Sequence, residues 1–380
     1  MKEGLGDFSP YIIDPELERV MESEFLVEDR YLDYNTPTFI ISPRGGIDQS
    51  AVVKESFKKV VRESRKRGYL PFLRRDENGR LIIRLLEKKP VEKSSSRLNI
   101  FLFLLTVCTI SYDGYLRSAI PIFTRELMPN VPVFVNVLLF LVSILGIFGL
   151  HELAHKFTSM REGVEASMPY FVPAPPGLGG TFGAVITQKE PPTNRDALFD
   201  LGMSGPLVGF LATVVVSIFG VTQSFIVPYR SLEEWSMKYG IGFQTIPTPP
   251  LLDFLISLLK PYNPRTYGFL FHPLAFAAWV GCLVTFLNLL PIWQLDGGHV
   301  TRALLGANKH RLLSLLGLIV MLLSGYYIMA IIISIGMFSS RGDVGPLDDV
   351  SPLSPGRKIL FIIYIAILSL TFIIFSPFIF

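Results

Sequence analysis

From about position 98 the chain becomes a series of long apolar runs broken by short polar connections, whereas residues 1–97 mix polar and apolar positions as a water-soluble fold does. Six runs, 98–121, 133–155, 201–227, 273–295, 312–337 and 358–380, approach or exceed the roughly 20 apolar residues that a helix needs to cross a bilayer. The first is the weakest, because Asp113 and Gly114 interrupt it, and it reads as a short or tilted span. The pattern predicts a polytopic α-helical membrane protein of about six transmembrane helices, in a domain covering 98–380 whose core spans are 133–155, 201–227 and 273–295. A shorter apolar stretch between prolines, 251–260, predicts a helix lying on the membrane surface.

The first 97 residues predict a small α+β domain. Residues 38–42 read as a strand, and 51–66 places Val52, Val53, Phe57, Val60 and Val61 on one helical face. Gly68 ends that helix. Two further strands, 69–74 and 81–86, flank Asp76-Glu77-Asn78-Gly79, a hairpin signal because Asn-Gly tolerates positive φ. The unit is βαββ, and its many basic residues read as a solvated face.

Composition agrees with the membrane assignment. Half of the residues are hydrophobic and mean hydropathy is +0.44. A net charge of +3 is too small to point to nucleic acid, and no nucleic-acid-reading motif is present. Two cysteines, Cys108 and Cys282, both within apolar runs, exclude a disulfide framework and a thiolate zinc site. Residues 1–34 hold ten acidic side chains against three basic ones, the opposite of a transit peptide. The expectation is an integral protein of the cell membrane, prokaryotic or archaeal in style, with a cytoplasmic N-terminus.

Charge sets the orientation. Arg80, Arg84, Lys88, Lys89, Lys93 and Arg97 precede the first run and place the N-domain inside. The second run then ends inside, at Lys156 and Arg161. The connection 296–311, with Arg302, Lys309 and Arg311, is also inside, while 228–272, with four basic residues, falls outside. The second and fourth runs are therefore parallel, and their cytoplasmic ends lie at similar depth.

Chemistry sits at those ends. His151-Glu152-Leu153-Ala154-His155 closes the second run, after twenty residues, 131–150, that are apolar except for Asn136 and Ser143. On a helix His151 and His155 share a face and can grip one metal ion, with Glu152 beside them to hold and deprotonate a water. Ionisable groups are costly at such depth and point to function. A catalytic zinc usually takes three protein ligands. Asp296, at the end of the fourth run, is the best third candidate and His299, one turn later, its rival; His272, placed outside, and His310, in a connection, are poorer.

An HExxH on a membrane helix followed by Asn288-x-x-Pro291-x-x-x-Leu295-Asp296-Gly297-Gly298 resembles the site-2 protease family of intramembrane zinc metalloproteases. Pro169 to Pro173, leading into Thr181-Phe182-Gly183-Ala184-Val185-Ile186-Thr187, and Asp200 to Pro206 are similar to the branch that contains the chloroplast gravitropism proteases. Trp293 departs from the small residue expected there. The resemblance implies zinc on His151, His155 and Asp296, water activation by Glu152, and substrate-backbone contact by Asn288. It also implies a re-entrant β segment in which Phe182, Gly183 and Ala184 form an edge to which an unwound substrate adds as a strand.

The function expected is a zinc endopeptidase whose partners are the bilayer and the transmembrane segments of substrate proteins, cut near the cytoplasmic face. The alternative is a non-catalytic membrane scaffold or metal-binding protein, for which Glu152 would be dispensable. Gly202, Gly205 and Gly209 read as helix-packing positions. Substrate identity, oligomeric state and the purpose of the last two runs are not readable from these residues.

Overall fold

A computed structural model describes residues 14–34, 36–44, 49–88, 96–177, 179–186, 188–339 and 345–374. They fall into two compact units. The first comprises Met1–Lys93 with two later segments, Glu190–Leu198 and Asp343–Pro355; the second comprises Ser94–Lys189, Phe199–Gly342 and Gly356–Phe380.

The first unit opens with α1 (Pro15–Glu24), capped by Asp14, whose side chain accepts from the Glu16 amide at 3.0 Å. There follow β1 (Phe25–Asp33), β2 (Thr36–Pro43), α2 (Gln49–Lys66), β3 (Tyr69–Arg75) and β4 (Leu81–Glu87). The strands make an antiparallel sheet in the order β1-β2-β4-β3. The βαββ pattern accounts for β2 to β4. Helix α1 and strand β1 are additional, and β1 is hard to read because Glu28-Asp29-Arg30 and a register shift between Val27 and Asp29 break its alternation. Val53, Phe57, Val60 and Val61 of α2 are buried with Phe39, Ile41, Leu73 and Ile83 of the sheet. The later segments are built into this core. Leu347 is fully buried, accepts from the Leu73 amide and donates to the Pro192 carbonyl. Glu190 lies between Arg65 at 3.0 Å and Lys88 at 2.5 Å.

The second unit begins with α3 (Ser96–Ser118), a π-helical turn (Ile122–Leu127), α4 (Val133–Arg161), β5 (Tyr170–Pro173) and β6 (Thr181–Val185). It continues with the body of α5 (Arg195–Gln223), β7 (Phe225–Pro228), α6 (Tyr229–Tyr239), α7 (Pro250–Leu259), β8 (Tyr267–Leu270) and α8 (Pro273–Leu289). Helices α9 (Asp296–Leu305), α10 (Ala307–Leu323), α11 (Tyr327–Ser339) and the body of α12 (Pro355–Thr371) complete it. Among the described residues, three helices, within α3, α4 and α5, are long and apolar enough to cross a membrane.

Several run boundaries differ from the hydropathy pattern. Helix α3 is unbroken through Asp113 and Gly114, and Gly114 admits the Phe140 ring of α4, which a Cβ there would meet at 2.9 Å. Helix α8 ends at Leu289, so 290–295 is loop and not span. The run 312–337 is not one helix. It breaks at Ser324-Gly325-Tyr326, where Gly325 has φ +87° and the Tyr326 hydroxyl donates to the Ile373 carbonyl at 2.8 Å. Both halves are apolar, so hydropathy alone carries no sign of that break. The run 358–380 is α12 from Pro355 to Thr371, and residues 375–380 lie outside the described residues.

Close approaches fix the helix directions. A Cβ on Gly220 would lie 2.6 Å from Ala275 Cα, which joins the end of α5 to the start of α8. A Cβ on Gly205, about 22 Å earlier along α5 at 1.5 Å per residue, would meet His155 of α4. A Cβ on Gly281, six residues after Ala275 on α8, would lie 2.6 Å from Thr213 Oγ1, seven residues before Gly220 on α5, so α5 is antiparallel to α8. The hairpin β7–β8 and helices α6 and α7 stand at the end of these helices remote from the histidines.

Candidate metal centre

Helix α4 carries His151, Glu152 and His155 in its last turns. His151 and Glu152 are buried and His155 is half-buried. Asp296 arrives from α8 by way of the loop 290–295, and stands in the first turn of α9, where the helix N-terminus favours a carboxylate. His151 Nε2 lies 3.2 Å from Asp296 Oδ2, His155 Nε2 lies 3.3 Å from Asp296 Oδ1, and the two imidazole Nε2 atoms are 3.1 Å apart. Among the described residues, this is the one group of three or more His, Cys, Asp and Glu side chains able to share a metal ion.

The geometry fits a divalent cation. Ligands at about 2.0–2.2 Å in tetrahedral array stand roughly 3.3–3.6 Å from one another, close to the separations seen. His155 Nδ1 lies 2.9 Å from the Leu201 carbonyl, which can only accept, so Nδ1 carries the proton and Nε2 keeps its lone pair for the metal. A carboxylate and two imidazole nitrogens facing one centre suit zinc.

Helix α5 forms the second wall. Gly202, Gly205 and Gly209 share one face of it. A Cβ at Gly205 would lie 2.1 Å from His155 Nε2, one at Gly209 3.0 Å from His151 Nδ1, and one at Gly202 2.6 Å from the Asp296 carbonyl oxygen. Their absent side chains make room for both histidines and for the backbone of the aspartate. The packing reading is right about close approach, but what approaches is the donor group itself.

The loop that delivers Asp296 is held from several sides. A Cβ on Gly297 would lie 2.1 Å from the Leu289 carbonyl oxygen, and one on Gly298 2.2 Å from that of Trp293, so the loop folds back on itself only with glycine at both positions. Trp293 has φ +44° and its ring packs on Gly336. Its amide donates to Ser314 Oγ at 3.0 Å, and its carbonyl lies 3.2 Å from His310 Nε2. The Tyr364 hydroxyl of α12 donates to the Leu289 carbonyl at 2.6 Å. Helices α10 and α12, from the fifth and sixth apolar runs, thus brace the loop that presents Asp296.

The remaining candidates separate cleanly. His272 caps α8 through Nδ1, which accepts from the Leu274 amide at 3.1 Å, at the remote end of that helix. His310 is engaged with Thr301, Ser314 and Trp293. His299 lies outside the converging group, its Cβ against Gly202. Asn288 is half-buried in the last turn of α8, beside the Leu289 that Gly297 abuts. Phe182, Gly183 and Ala184 lie on β6, which pairs antiparallel with β5. Phe182 is exposed, while a Cβ on Gly183, which has φ +102°, would lie 3.3 Å from the Phe148 ring, one turn before His151 and Glu152 on α4. Thr187 lies outside the described residues.

A model of peptidase family M50 matches residues 139–332, which include the whole site. The chain is 27% identical over 216 residues to the probable zinc metalloprotease EGY2, chloroplastic, of Oryza sativa subsp. indica, covering 54% of this chain and 36% of that protein. It is 24% identical over 261 residues to the probable zinc metallopeptidase EGY3, chloroplastic, of Arabidopsis thaliana, covering 65% and 41%. To the probable zinc metalloprotease EGY1, chloroplastic, of Arabidopsis thaliana it is 30% identical over 173 residues, covering 43% and 29%. The match thus spans well under half the length of these curated relatives. No solved structure matches the chain.

Proposed function

The chain belongs to peptidase family M50, and from that we propose that it is an intramembrane zinc endopeptidase, hydrolysing peptide bonds in the transmembrane segments of other proteins near the cytoplasmic face. The observation that carries this reading is the convergence of His151, His155 and Asp296 to within 3.1–3.3 Å of one another, with Glu152 buried next in chain to the first of them. The names of the relatives support zinc as the metal.

Peptide bonds within a bilayer are shielded by helical hydrogen bonding and by exclusion of water. Zinc, when bound, supplies Lewis acidity that polarises a carbonyl and makes water more acidic. The chain's own residues supply the rest. Leu201 holds His155 in the one tautomer that leaves Nε2 free. The Glu152 carboxylate accepts the proton of the attacking water and returns a proton to the departing amine nitrogen as the C–N bond breaks. Phe182, Gly183 and Ala184 form the edge to which an unwound substrate pairs, and Asn288 contacts its backbone. The N-terminus faces the cytoplasm, as do the ends of α4 and α8.

Zinc content of the purified wild type, Glu152→Gln and Asp296→Ala, read beside cleavage of a model transmembrane substrate, tests this directly. Near-stoichiometric zinc in wild type and Glu152→Gln, its loss in Asp296→Ala, and cleavage by wild type only are expected. Full zinc in Asp296→Ala would move the third ligand elsewhere. Cleavage by Glu152→Gln at the wild-type rate, or no zinc in any of the three, would leave the chain a membrane scaffold.

A further inference from the structure

Helix α3 carries Thr109, Asp113 and Arg117 at four-residue spacing, on one stripe, and all three bind a single short loop. Ionisable groups inside an apolar helix are costly and ask for a use; these two take no part in the metal centre. Asp113 is 2% exposed, and its carboxylate accepts from the Gly177 amide at 3.0 Å through Oδ1 and from the Gly179 amide at 2.9 Å through Oδ2. Arg117 donates to the Gly177 carbonyl at 3.0 Å, and its Nε lies 3.4 Å from Asp113 Oδ1. Thr109 Oγ1 donates to the Gly180 carbonyl at 2.7 Å.

The loop so held joins β5 to β6. Pro175 and Pro176 keep it from being helical, and Gly177, Gly179 and Gly180 have φ of +113°, +84° and +73°. Gly180 lies backbone to backbone on α3, since a Cβ there would be 2.6 Å from Ile110 Cα. On leaving the loop, Thr181 Oγ1 donates to the Val172 carbonyl at 2.9 Å and accepts from the Gly183 amide at 3.0 Å. Gly183 then rests on Phe148 of α4. Phe171 of β5 meets Phe103 of α3 edge-on at 5.2 Å. A continuous series of contacts therefore runs from Asp113 through the glycine loop and β6 to the helix that bears Glu152 and both histidines. In its two-stranded sheet β6 pairs with β5 alone, which leaves its other edge unpaired among the described residues.

We propose that Asp113 is a positioning residue for proteolysis: with Thr109 and Arg117 it clamps the glycine loop onto α3 and so fixes the register of the β6 edge against the metal centre. This rests on reading β6 as the edge that receives substrate. Side chains alternate along a strand, so a slip of one residue would turn the substrate over and a slip of two would present a different bond. The clamp uses a carboxylate because a single side chain must accept from two amides at once while pairing with a guanidinium. Asparagine in its place keeps the shape but offers one oxygen.

The test takes Asp113→Asn and, as a gentler variant, Thr109→Val, in the full-length protein in bilayer nanodiscs. Product masses from a model transmembrane substrate read the register, and amide exchange over 177–185 reads the clamp. In Asp113→Asn we expect additional products cut one or two bonds from the wild-type position, a KM raised about tenfold, wild-type zinc content, and exchange of the Gly177 and Gly179 amides accelerated about tenfold or more; Thr109→Val moves in the same direction by less. Cleavage confined to the wild-type bond with unchanged KM overturns the proposal. So does a loss of activity that only follows zinc content or folded fraction. If the wild type cleaves nothing, the protease reading fails, and the exchange data still decide whether the clamp exists.

Discussion

A methyl group on Gly205 would lie 2.1 Å from His155 Nε2, so an alanine there forces the imidazole, or the whole of α5, away from the place where the donors meet. Gly205→Ala should therefore lose most of its zinc and its activity. Gly209→Ala, whose Cβ would meet His151 Nδ1 at 3.0 Å, should lose less. Gly149→Ala makes the same change on α4, two residues before His151, with nothing within 4 Å of the new methyl. It should retain its zinc and gain stability by about 0.5–1 kcal/mol from helix propensity. Elemental analysis and thermal melts in detergent separate the three, and equal zinc in all of them would show that α5 does not wall the site. The contrast explains what is legible at this scale. His151, Glu152 and His155 are readable because an i, i+4 pair makes its own geometry on one helix. The glycines 202, 205 and 209 are visible in the sequence as small residues on one face, but Gly205 and Gly209 face a helix some fifty residues back along the chain and Gly202 one some ninety residues ahead, and no local signal names either.

At the scale of elements, hydropathy locates the long apolar helices and leaves their ends and breaks unread. The loop 290–295 belongs to an apolar run, yet it must leave the helix for Asp296 to reach the histidines, and Pro291 with the pair Gly297 and Gly298 is the trace of that exit. What braces the loop cannot be read at all, because Ser314, His310 and Tyr364 are ordinary polar residues within later helices. Tyr364 gives the sharpest test. Its hydroxyl donates to the Leu289 carbonyl, the point at which α8 stops and the loop begins. Tyr364→Phe keeps the ring and removes that donor. Because groups behind the ligands typically change metal affinity by about 10–100-fold and Tyr364 acts one step further back, the variant should bind zinc about tenfold less tightly or somewhat better than that. Competition with a chromophoric chelator measures it. Unchanged affinity would mean that α12 supports the bilayer-spanning body without tuning the site.

For the molecule as a whole, the sequence and the coordinates reach the helix directions by independent routes. Arginine and lysine placement makes the second and fourth runs parallel, with both histidines and Asp296 toward one face and 228–272 toward the other. The close contacts of Gly220 with Ala275 and of Gly281 with Thr213 make α5 antiparallel to α8, and that of Gly205 with His155 sets β7, α6, α7 and β8 at the end remote from the donors. Neither route says which end faces the cytoplasm except through charge, and charge commits to the end carrying Arg302, Lys309 and Arg311. The prediction is made with single cysteines in a background where Cys108 and Cys282 are serine. A cysteine at Lys309, exposed at the start of α10, should react with an impermeant maleimide only from the cytoplasmic side of sealed vesicles. A cysteine at Met237, 80% exposed on α6, should react only from the opposite side. Labelling of both from one side would contradict the helix directions themselves. Labelling from opposite sides but in reverse would keep the fold and invert the protein, moving the proposed cleavage to the far face of the membrane and taking with it every substrate whose released fragment must enter the cytoplasm.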